Sequence, residues 1–446
     1  MKHYLTLVAL MFSTVWVFGQ QAGQFTLQQA IDYAMSNNTE VKISQNNIRD
    51  AEKQITERTA AGLPQINGTV SYNYYAVIPT TILPEQFAID PTTGQVNPNF
   101  DRAVKFGVKN NLTGTASLST LLFDGSYLVA LQAAREYRDY AHEELKSKQY
   151  TVKNQVTMAY LPVLLINLSL ETLDKNIANL QNLSKEVTAI YNQGLGEQLD
   201  VDRINLSLSN LTTEKDNLLR QKDITINYLK FVMNYPVDKP IEIVDNISSI
   251  ESKPADGILS GKISYDSRSE YGVIKKGIRL NELNVKVNKA GYLPSLVAIG
   301  SFQYNIQDDK FFSKDAIASP TAIIGGQLNI PIFDSFAKKA KTERARIQML
   351  NALEQKNMFE RSVDLEVTNA RQSYNAASER LEMQRKNVAL AEKIYNTTKA
   401  KYQHGLGSSL EITQAEQSLY SVQQNFNQAL YDVIVAKINL DKAFGK

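Results

Sequence analysis

The sequence predicts an α+β membrane protein built as a tandem duplication, and three observations support that prediction. The stretch 402–411 repeats the pattern of 191–200, because both read Tyr-x-x-Gly-Leu-Gly between two helical segments. Four short stretches alternate apolar and polar residues, which is typical of strands with two unlike faces. Two runs of nearly 70 residues, 126–192 and 335–403, have helical periodicity. Self-similarity at about half the chain length indicates one two-part unit rather than several domains.

The first 20 residues have the composition of a secretory signal peptide. Met1-Lys2-His3 gives a basic start, residues 4–18 are mostly apolar, and Val17-Phe18-Gly19 is typical of a cleavage site. A membrane anchor is the alternative, but the apolar run is shorter than the ~20 residues that a spanning helix needs. We therefore exclude residues 1–20 from the fold and expect an exported chain.

Composition argues against several classes of site and partner. The 446 residues include no cysteine, which excludes disulfides, thiolate metal sites and a lipid-bearing cysteine. The formal charge is +2 and the charged residues are dispersed, which argues against a nucleic-acid partner. Outside the leader only His142 and His404 remain, so we expect neither a metal nor another cofactor.

Paired motifs divide the chain into two structural repeats. Residues 21–234 form the first repeat, 235–262 an equatorial connecting segment with prolines, and 263–446 the second repeat. The first repeat opens with a capping box, in which Thr26 is the N-cap and Gln29 follows three residues later. The other motifs that recur are Leu63-Pro64 with Leu293-Pro294, and Leu122-Phe123-Asp124 with Ile332-Phe333-Asp334.

The alternating segments predict four strands, near 66–74, 112–119, 296–304 and 322–330. Each is close to the ~10 residues that cross a bilayer at a tilt. Two soluble hairpins on a periplasmic domain are the alternative, because alternation is a weak signal for any one strand. A loop of about 35 residues with several prolines joins the first two strands and indicates either a function or disorder.

Four strands cannot close a membrane barrel, because an open sheet edge in hydrocarbon leaves backbone groups unpaired. Two protomers would supply about eight strands and a barrel filled by side chains, whereas three would supply about twelve and leave room inside. A conduit therefore favours a homotrimer.

Each long helical run would reach ~100 Å, several times the diameter of a small domain. Apolar residues at spacings of three and four predict narrow buried seams with water on both surfaces. Pro162 lies inside the first run and predicts a kink rather than an end. After the leader, the most apolar run is 161–170, which is interrupted by Asn167 and Ser169. No run therefore approaches the ~18 apolar residues of a spanning helix.

This ordered, duplicated set of motifs resembles the outer membrane efflux protein family, the TolC-like channels, over essentially the whole mature chain. The resemblance implies a homotrimer whose twelve-stranded β-barrel contacts outer membrane lipid and continues as an α-helical barrel across the periplasm. It also implies a periplasmic tip that meets the adaptor protein of an inner-membrane transporter. The chain would then be a passive exit duct. It departs from the family pattern at Thr39 and Ser269, where proline is frequent, and at Pro162.

The resemblance places the helix after the second turn at a periplasmic constriction that can carry two acidic rings. Glu411 matches the first ring position and Gln414 the second, so the second ring would be uncharged. Three Glu411 carboxylates around an axis would favour cations. The alternative is that Glu411 completes a capping box with Ser408 and suits the positive end of the helix dipole, as Asp200 does in the first copy.

The two turns are candidate docking points for the adaptor. They consist of Gly194, Leu195 and Gly196 in the first repeat and of Gly405, Leu406 and Gly407 in the second. The simpler interpretation is that the glycines only end helices. The functional interpretation adds that each leucine is an exposed apolar residue available to a partner helix.

Two other classes of function are alternatives to a channel. An enzyme needs a convergent cluster of catalytic groups, and a chain without cysteine, with few histidines and without a phosphate-binding glycine motif argues against one. A structural or adhesive coiled-coil protein of the cell surface would share the long helices without needing four membrane strands. Membrane fractionation separates these classes from a barrel.

Overall fold

The computed structural model describes residues 23–89, 92–96, 101, 103–250, 259, 261–310, 314 and 316–446, so the predicted signal peptide lies outside the described residues. The described chain is mostly helical, with some sheet. Its elements are β1 (Gly23–Phe25), α1 (Leu27–Asn37), α2 (Thr39–Ala60), β2 (Gln65–Tyr74), β3 (Thr80–Ile82), β4 (Ala103–Lys105), β5 (Asn110–Asp124), α3 (Gly125–Asn192), α4 (Gln198–Met233), β6 (Ile241–Ile243), α5 (Ser269–Ala290), β7 (Ser295–Asp308), β8 (Ile317–Asn329), α6 (Ala337–Gln403) and α7 (Ser409–Ala443).

The chain divides into two compact units. The helical unit contains the described residues up to Asn47 together with Ala141–Lys275 and Gln355–Lys446. The sheet unit contains Ile48–Tyr140 and Lys276–Glu354. Each unit draws residues from both halves of the sequence.

The sheet unit is built on one antiparallel sheet with the order β2-β5-β7-β8, so the prediction of four strands is confirmed. The register brings the four alternating patterns onto common faces. One face has the cross-strand rows Ile66, Leu118, Gly300, Ile324 and Gly68, Ala116, Phe302, Ala322. The other face has Thr69, Thr115, Gln303, Thr321 and Ser71, Thr113, Asn305, Ser319. The sheet therefore has one apolar and one polar surface.

Strands β2 and β8 are the two edges of this sheet. β2 has 10 residues and β8 has 13, which makes both edges long enough to pair with a further strand. The loop from β2 to β5 is described in part and contains the short antiparallel pair β3 and β4. Part of the long loop is therefore structured.

The recurring aspartates cap the start of the long helix that follows each hairpin. Asp124 Oδ1 accepts a hydrogen bond from the Tyr127 N–H at 3.0 Å, and Asp334 Oδ2 accepts one from the Lys338 N–H at 2.9 Å. Each carboxylate satisfies an N–H group that has no partner within the first helical turn.

The predicted start of the second long helix at residue 335 was wrong by two residues. Ser335 and Phe336 have φ values of 53° and 64°, outside the helical region, so α6 begins at Ala337.

The helical unit has a core in which α3, α4, α6 and α7 meet the N-terminal and connecting segments. Its fully buried members include Leu161, Leu164, Leu229, Met233, Val363, Ile434 and Leu440. The buried Tyr160 hydroxyl shares its single proton between two acceptors, the Phe25 carbonyl oxygen at 3.0 Å and Asp245 Oδ2 at 2.9 Å, which attaches the segment after α4 to the core. The parallel pairing of β1 with β6 also joins the N-terminal segment to the segment after α4.

The predicted capping box of Thr26 and Gln29 is confirmed, because both of its hydrogen bonds between side chain and backbone are present.

A second core lies toward the repeated turns, again within the helical unit. Its buried members are Leu173, Leu180, Leu183, Val187, Val201, Ile204, Leu211, Ala391, Tyr395, Ile412, Ala415 and Leu419. Because these come from α3, α4, α6 and α7, two helical hairpins share one apolar seam.

Helix α3 continues through Pro162, which confirms that this proline does not end the helix. Leu161, Val163 and Leu164 are buried around it, so packing on both sides holds the helical path where one backbone hydrogen bond is lost. The kink stays a prediction.

The expectation that no run approaches a spanning helix needs correction, because α3 includes an 18-residue window that is apolar enough to cross a membrane. Of that window 61% is buried inside the protein, which is typical of a core helix.

Candidate docking turns and the adjoining helices

The first repeated turn ends α3 with two specific backbone bonds. The Gly194 N–H donates to the Tyr191 carbonyl at 2.8 Å, and the Leu195 N–H donates to the Ile190 carbonyl at 3.1 Å. This pair of bonds is the Schellman motif, which needs a left-handed residue just after the helix. Gly194 has φ +75°, a conformation that glycine adopts without the steric penalty of a side chain.

The second turn has the same geometry at the end of α6. The Gly405 N–H donates to the Tyr402 carbonyl at 3.0 Å, and the Leu406 N–H donates to the Lys401 carbonyl at 2.8 Å. Gly405 has φ +71°. The two copies are therefore alike in backbone conformation as well as in sequence.

The second glycine of each turn lies close to the preceding helix and has no positive φ. A Cβ on Gly196 would lie 3.2 Å from Ile190 Cγ2, and one on Gly407 would lie 3.3 Å from the Tyr402 nitrogen. Both distances are tighter than ordinary van der Waals contact. Each Gly-Leu-Gly turn is thus closed against the helix that precedes it.

The leucine between the two glycines faces solvent in both turns. Leu195 is 77% exposed and Leu406 is 80% exposed. A groove of about 550 Å³ adjoins the second turn and is lined by Lys393, Asn396, Thr397, Ala400, Lys401, His404 and Leu406. An exposed leucine at the end of a basic groove is a surface that an amphipathic helix can contact.

Polar side chains connect the first turns of α4 and α7. The buried Ser409 hydroxyl donates to Asp200 Oδ1 and accepts a 3.1 Å hydrogen bond from Arg203 Nη1. Gln403 Nε2 also donates to Glu186 Oε2 at 3.0 Å, which joins the end of α6 to α3. The helices on either side of the two turns therefore form one connected assembly.

The predicted constriction residues both lie on the exposed side of α7. Glu411 and Gln414 are exposed, one helical turn apart. Ser408 is the N-cap of α7, and its hydroxyl accepts the Glu411 N–H at 3.3 Å. Glu411 Oε2 lies 3.4 Å from the place that a Cβ on Gly407 would occupy, so the carboxylate turns back toward the helix start. This position favours the helix-dipole role, while the ring of three carboxylates stays a prediction.

Sequence reasoning missed Glu416, which is 4% exposed and lies among the apolar residues of the second core. Its Oε1 has no hydrogen-bond partner among the described residues. Burial raises the pKa of this carboxyl to about 7. The helical spacing of Ile412, Ala415 and Leu419 places position 416 on the buried side of α7, so that spacing could have identified it.

Among the described residues there is no group of three or more His, Asp or Glu side chains that could hold a metal ion. The surfaces that remain are a two-faced sheet, two capped turns and long helices with narrow seams.

The family is decided by comparison with known sequences. The sequence profile of the outer membrane efflux protein family matches residues 30–234 and 275–446. The chain belongs to the outer membrane efflux protein family. The resemblance inferred from the paired motifs is thereby confirmed, and the matched regions contain both Gly-Leu-Gly turns.

Individual members of this family are similar along nearly their full lengths. The outer membrane efflux protein BepC of Brucella suis is 23% identical over 448 residues, which cover 99% of this chain and 90% of BepC. The outer membrane protein TolC of Escherichia coli is 23% identical, with 94% of this chain and 82% of TolC covered. The crystal structure of VceC from Vibrio cholerae has a TM-score of 0.70 at 16% identity and covers 94% of this chain and 96% of that one.

Membership in the outer membrane efflux protein family also settles the location and the broad role. The chain is an outer membrane protein of efflux and transport with a TolC-like fold. The structural or adhesive surface coiled-coil protein, which was the alternative, receives no support from these relatives.

Proposed function

We propose that this protein is the exit duct of a tripartite efflux or secretion system and acts as a passive, non-enzymatic conduit for small molecules or proteins. In this assembly three copies form a twelve-stranded β-barrel, continued by an α-helical barrel through the periplasm. Residues 21–234 and 263–446 are the two structural repeats of each copy, and 235–262 is the equatorial connecting segment. The partners are a periplasmic adaptor protein, an inner-membrane transporter and outer membrane lipid.

The two-faced sheet carries this proposal. An apolar face suits contact with lipid, and a polar face suits a water-filled lumen. Ile66 and Ile324 are highly exposed at opposite edges of the apolar face. Exposure of such large apolar side chains to water would not stabilise a single soluble chain. The edges β2 and β8 need partners in hydrocarbon, and further copies of the same sheet supply them.

Exposed apolar residues on two helices support association of several copies. They recur at a spacing of seven, as Leu199 with Leu206 and Ile224 with Phe231 on α4, and as Met358 with Leu365 and Met383 with Leu390 on α6. Two residues seven positions apart lie on the same side of a helix, where both can pack against another helix. Burying one such side chain fully contributes roughly 1.5–3 kcal/mol, so a few of these contacts stabilise an oligomer.

The mass of the purified protein in detergent tests the oligomer. Three copies are the expected result, because three sheets leave room for a lumen whereas two give a filled barrel. Cross-linking that stops at a dimer would overturn the conduit.

The two Gly-Leu-Gly turns are the proposed docking points. A partner helix can approach each turn closely, because the flanking glycines carry no side chains, and can bury Leu195 or Leu406. Burial of one leucine contributes roughly 1.5–3 kcal/mol, and several such contacts act together when the partner is multivalent. The basic groove beside Leu406 favours a partner helix that carries acidic residues.

The docking proposal is tested by changing Leu195 and Leu406 together to Asp. We expect loss of export, measured as accumulation of a fluorescent dye in the native host, while trimer formation and membrane insertion stay normal. Leu259→Asp is the matched control, because Leu259 is also exposed but lies in the connecting segment. Normal export by the double variant would show that the turns only end helices.

A further inference from the structure

Glu416 occupies an environment that a permanently charged carboxylate does not tolerate. It is 4% exposed, and it follows Ala415 directly on the side of α7 that contributes Ile412 and Leu419 to the second core. No donor among the described residues reaches its Oε1. An unpaired buried carboxylate either takes up a proton or weakens the packing around it.

The pKa values of two tyrosines respond to Glu416, those of Tyr395 on α6 and Tyr420 on α7. Tyr395 of α6 is buried, its hydroxyl has no partner among the described residues, and its pKa is raised by burial first and then by Glu416 and by Glu186 of α3. Burial, then Glu214 of α4, then Glu416 raise the pKa of Tyr420 of α7 to about 12. Both tyrosines are neutral hydroxyls, so neither compensates the charge of an ionised Glu416.

Two basic side chains of α4 have partners other than Glu416. Lys215 of α4 lies 2.7 Å from Asp174 of α3, and Arg203 of α4 contacts Ser409 and Asp200. Burial accounts for the raised pKa of Glu416, and no nearby cation among the described residues offsets it.

The first repeat lacks this feature. The residue fourteen positions after Tyr402 is Glu416, whereas the residue fourteen positions after Tyr191 is Asn205. Asn205 is exposed, and its Oδ1 accepts a 2.9 Å hydrogen bond from the Ser184 hydroxyl. The buried carboxyl therefore belongs to the second helical hairpin alone.

We propose that Glu416 is a proton-operated latch between the two helical hairpins of each chain. When it is protonated, the carboxyl is neutral and α7 packs against α3, α4 and α6. When the proton passes to bulk water, the uncompensated charge favours separation of α7 from this core, which gives the carboxylate access to solvent. The latch lies within one chain, so it operates whether or not the tips carry a docked partner.

Hydrogen exchange of the full-length protein in detergent measures this opening directly. Peptides from 387–403 and 409–425 report on the parts of α6 and α7 around the latch. After correction for the intrinsic exchange rate, the opening constant should rise by about tenfold from pH 6 to pH 8, since the open form releases the proton at the ordinary pKa.

Glu416→Gln keeps the size of the side chain and removes its charge, so its opening constant should be the same at both pH values. Glu392→Gln is the matched control, because Glu392 is exposed on α6 next to the buried Ala391, and it should retain the tenfold rise. A pH-dependent opening that persists in Glu416→Gln, or that is absent from the unmodified protein, overturns the latch.

The infrared signal of a protonated carboxyl provides a second measurement that needs no variant. Burial predicts that a carboxyl in the unmodified protein loses its proton near pH 7, well above the range in which exposed carboxylates titrate. A protein in which all carboxyls have titrated below pH 5 contradicts the latch.

Discussion

Ile324→Arg tests the orientation of the sheet in the membrane more sharply than any other change. Ile324 is 95% exposed, lies near the middle of β8 and belongs to the apolar row that includes Ile66 and Leu118. Arginine on the lipid-facing surface of a barrel costs roughly 2–4 kcal/mol at the bilayer midplane. A trimer carries the change three times, so the total is about 6–12 kcal/mol against insertion.

The neighbouring residue provides a matched control. Ile323 is 56% exposed and projects from the opposite, polar face, because successive side chains of a strand alternate. Ile323→Arg introduces the same side chain one position away and should insert normally, since its guanidinium faces water in the proposed lumen.

Refolding into lipid vesicles, followed as the folded fraction against urea concentration, measures both variants. We expect the midpoint of Ile324→Arg to fall well below that of the unmodified protein, and the midpoint of Ile323→Arg to stay close to it. Equal midpoints for the two variants would refute the assignment of the apolar face to lipid. A larger loss for Ile323→Arg would indicate the reverse orientation.

Three further predictions concern the helical unit. Burial raises the pKa of Glu416 to about 7 in the folded protein, against 4.5 when it is exposed, so its contribution to the free energy of unfolding is largest below pH 4.5 and falls by about 3 kcal/mol as the pH rises to 7. The free energy of unfolding of the unmodified protein relative to Glu416→Gln should therefore fall by that amount in chemical denaturation, and a pH-independent difference would contradict it. Gly405→Ala should cost roughly 1–2 kcal/mol because alanine is strained at φ +71°, and chemical denaturation should find Gly405→Asn less harmful; equal losses would exclude backbone strain as the cause. Glu411→Gln should weaken cation preference in planar-bilayer conductance, and unchanged selectivity would reject the carboxylate ring.

Local patterns were sufficient for much of the fold. A strand alternates with a period of two and a helix with a period of 3.6, so the four strands and the long helices follow from residues close together in the sequence. The turns could also be predicted, because Gly194 and Gly405 occupy left-handed positions that few other residues tolerate. The Thr26 cap needed only Gln29, three residues away.

Features that depend on distant residues were not predictable in the same way. The adjacency of β5 and β7 joins strands almost two hundred residues apart, and no single-strand pattern specifies that neighbour. The apolar window of α3 is mostly buried because of the helices packed around it, which its own sequence does not reveal. The burial of Glu416 likewise depends on α3, α4 and α6, which pack against α7 in the second core. The start of α6 was misplaced because φ of Ser335 and Phe336 departs from what their residue types favour.

The strand order has a consequence for how a mixed population of chains assembles. β2 comes from the first repeat and β8 from the second, so the two edges of one chain are different surfaces. In the proposed ring, β8 of each copy meets β2 of the next, a head-to-tail contact that closes by rotation. A chain with one damaged edge can still join a neighbour through its intact edge, yet it leaves the ring open at the other. Such a chain is therefore expected to be dominant-negative when it is co-expressed with the normal chain, because only rings made entirely of intact copies close.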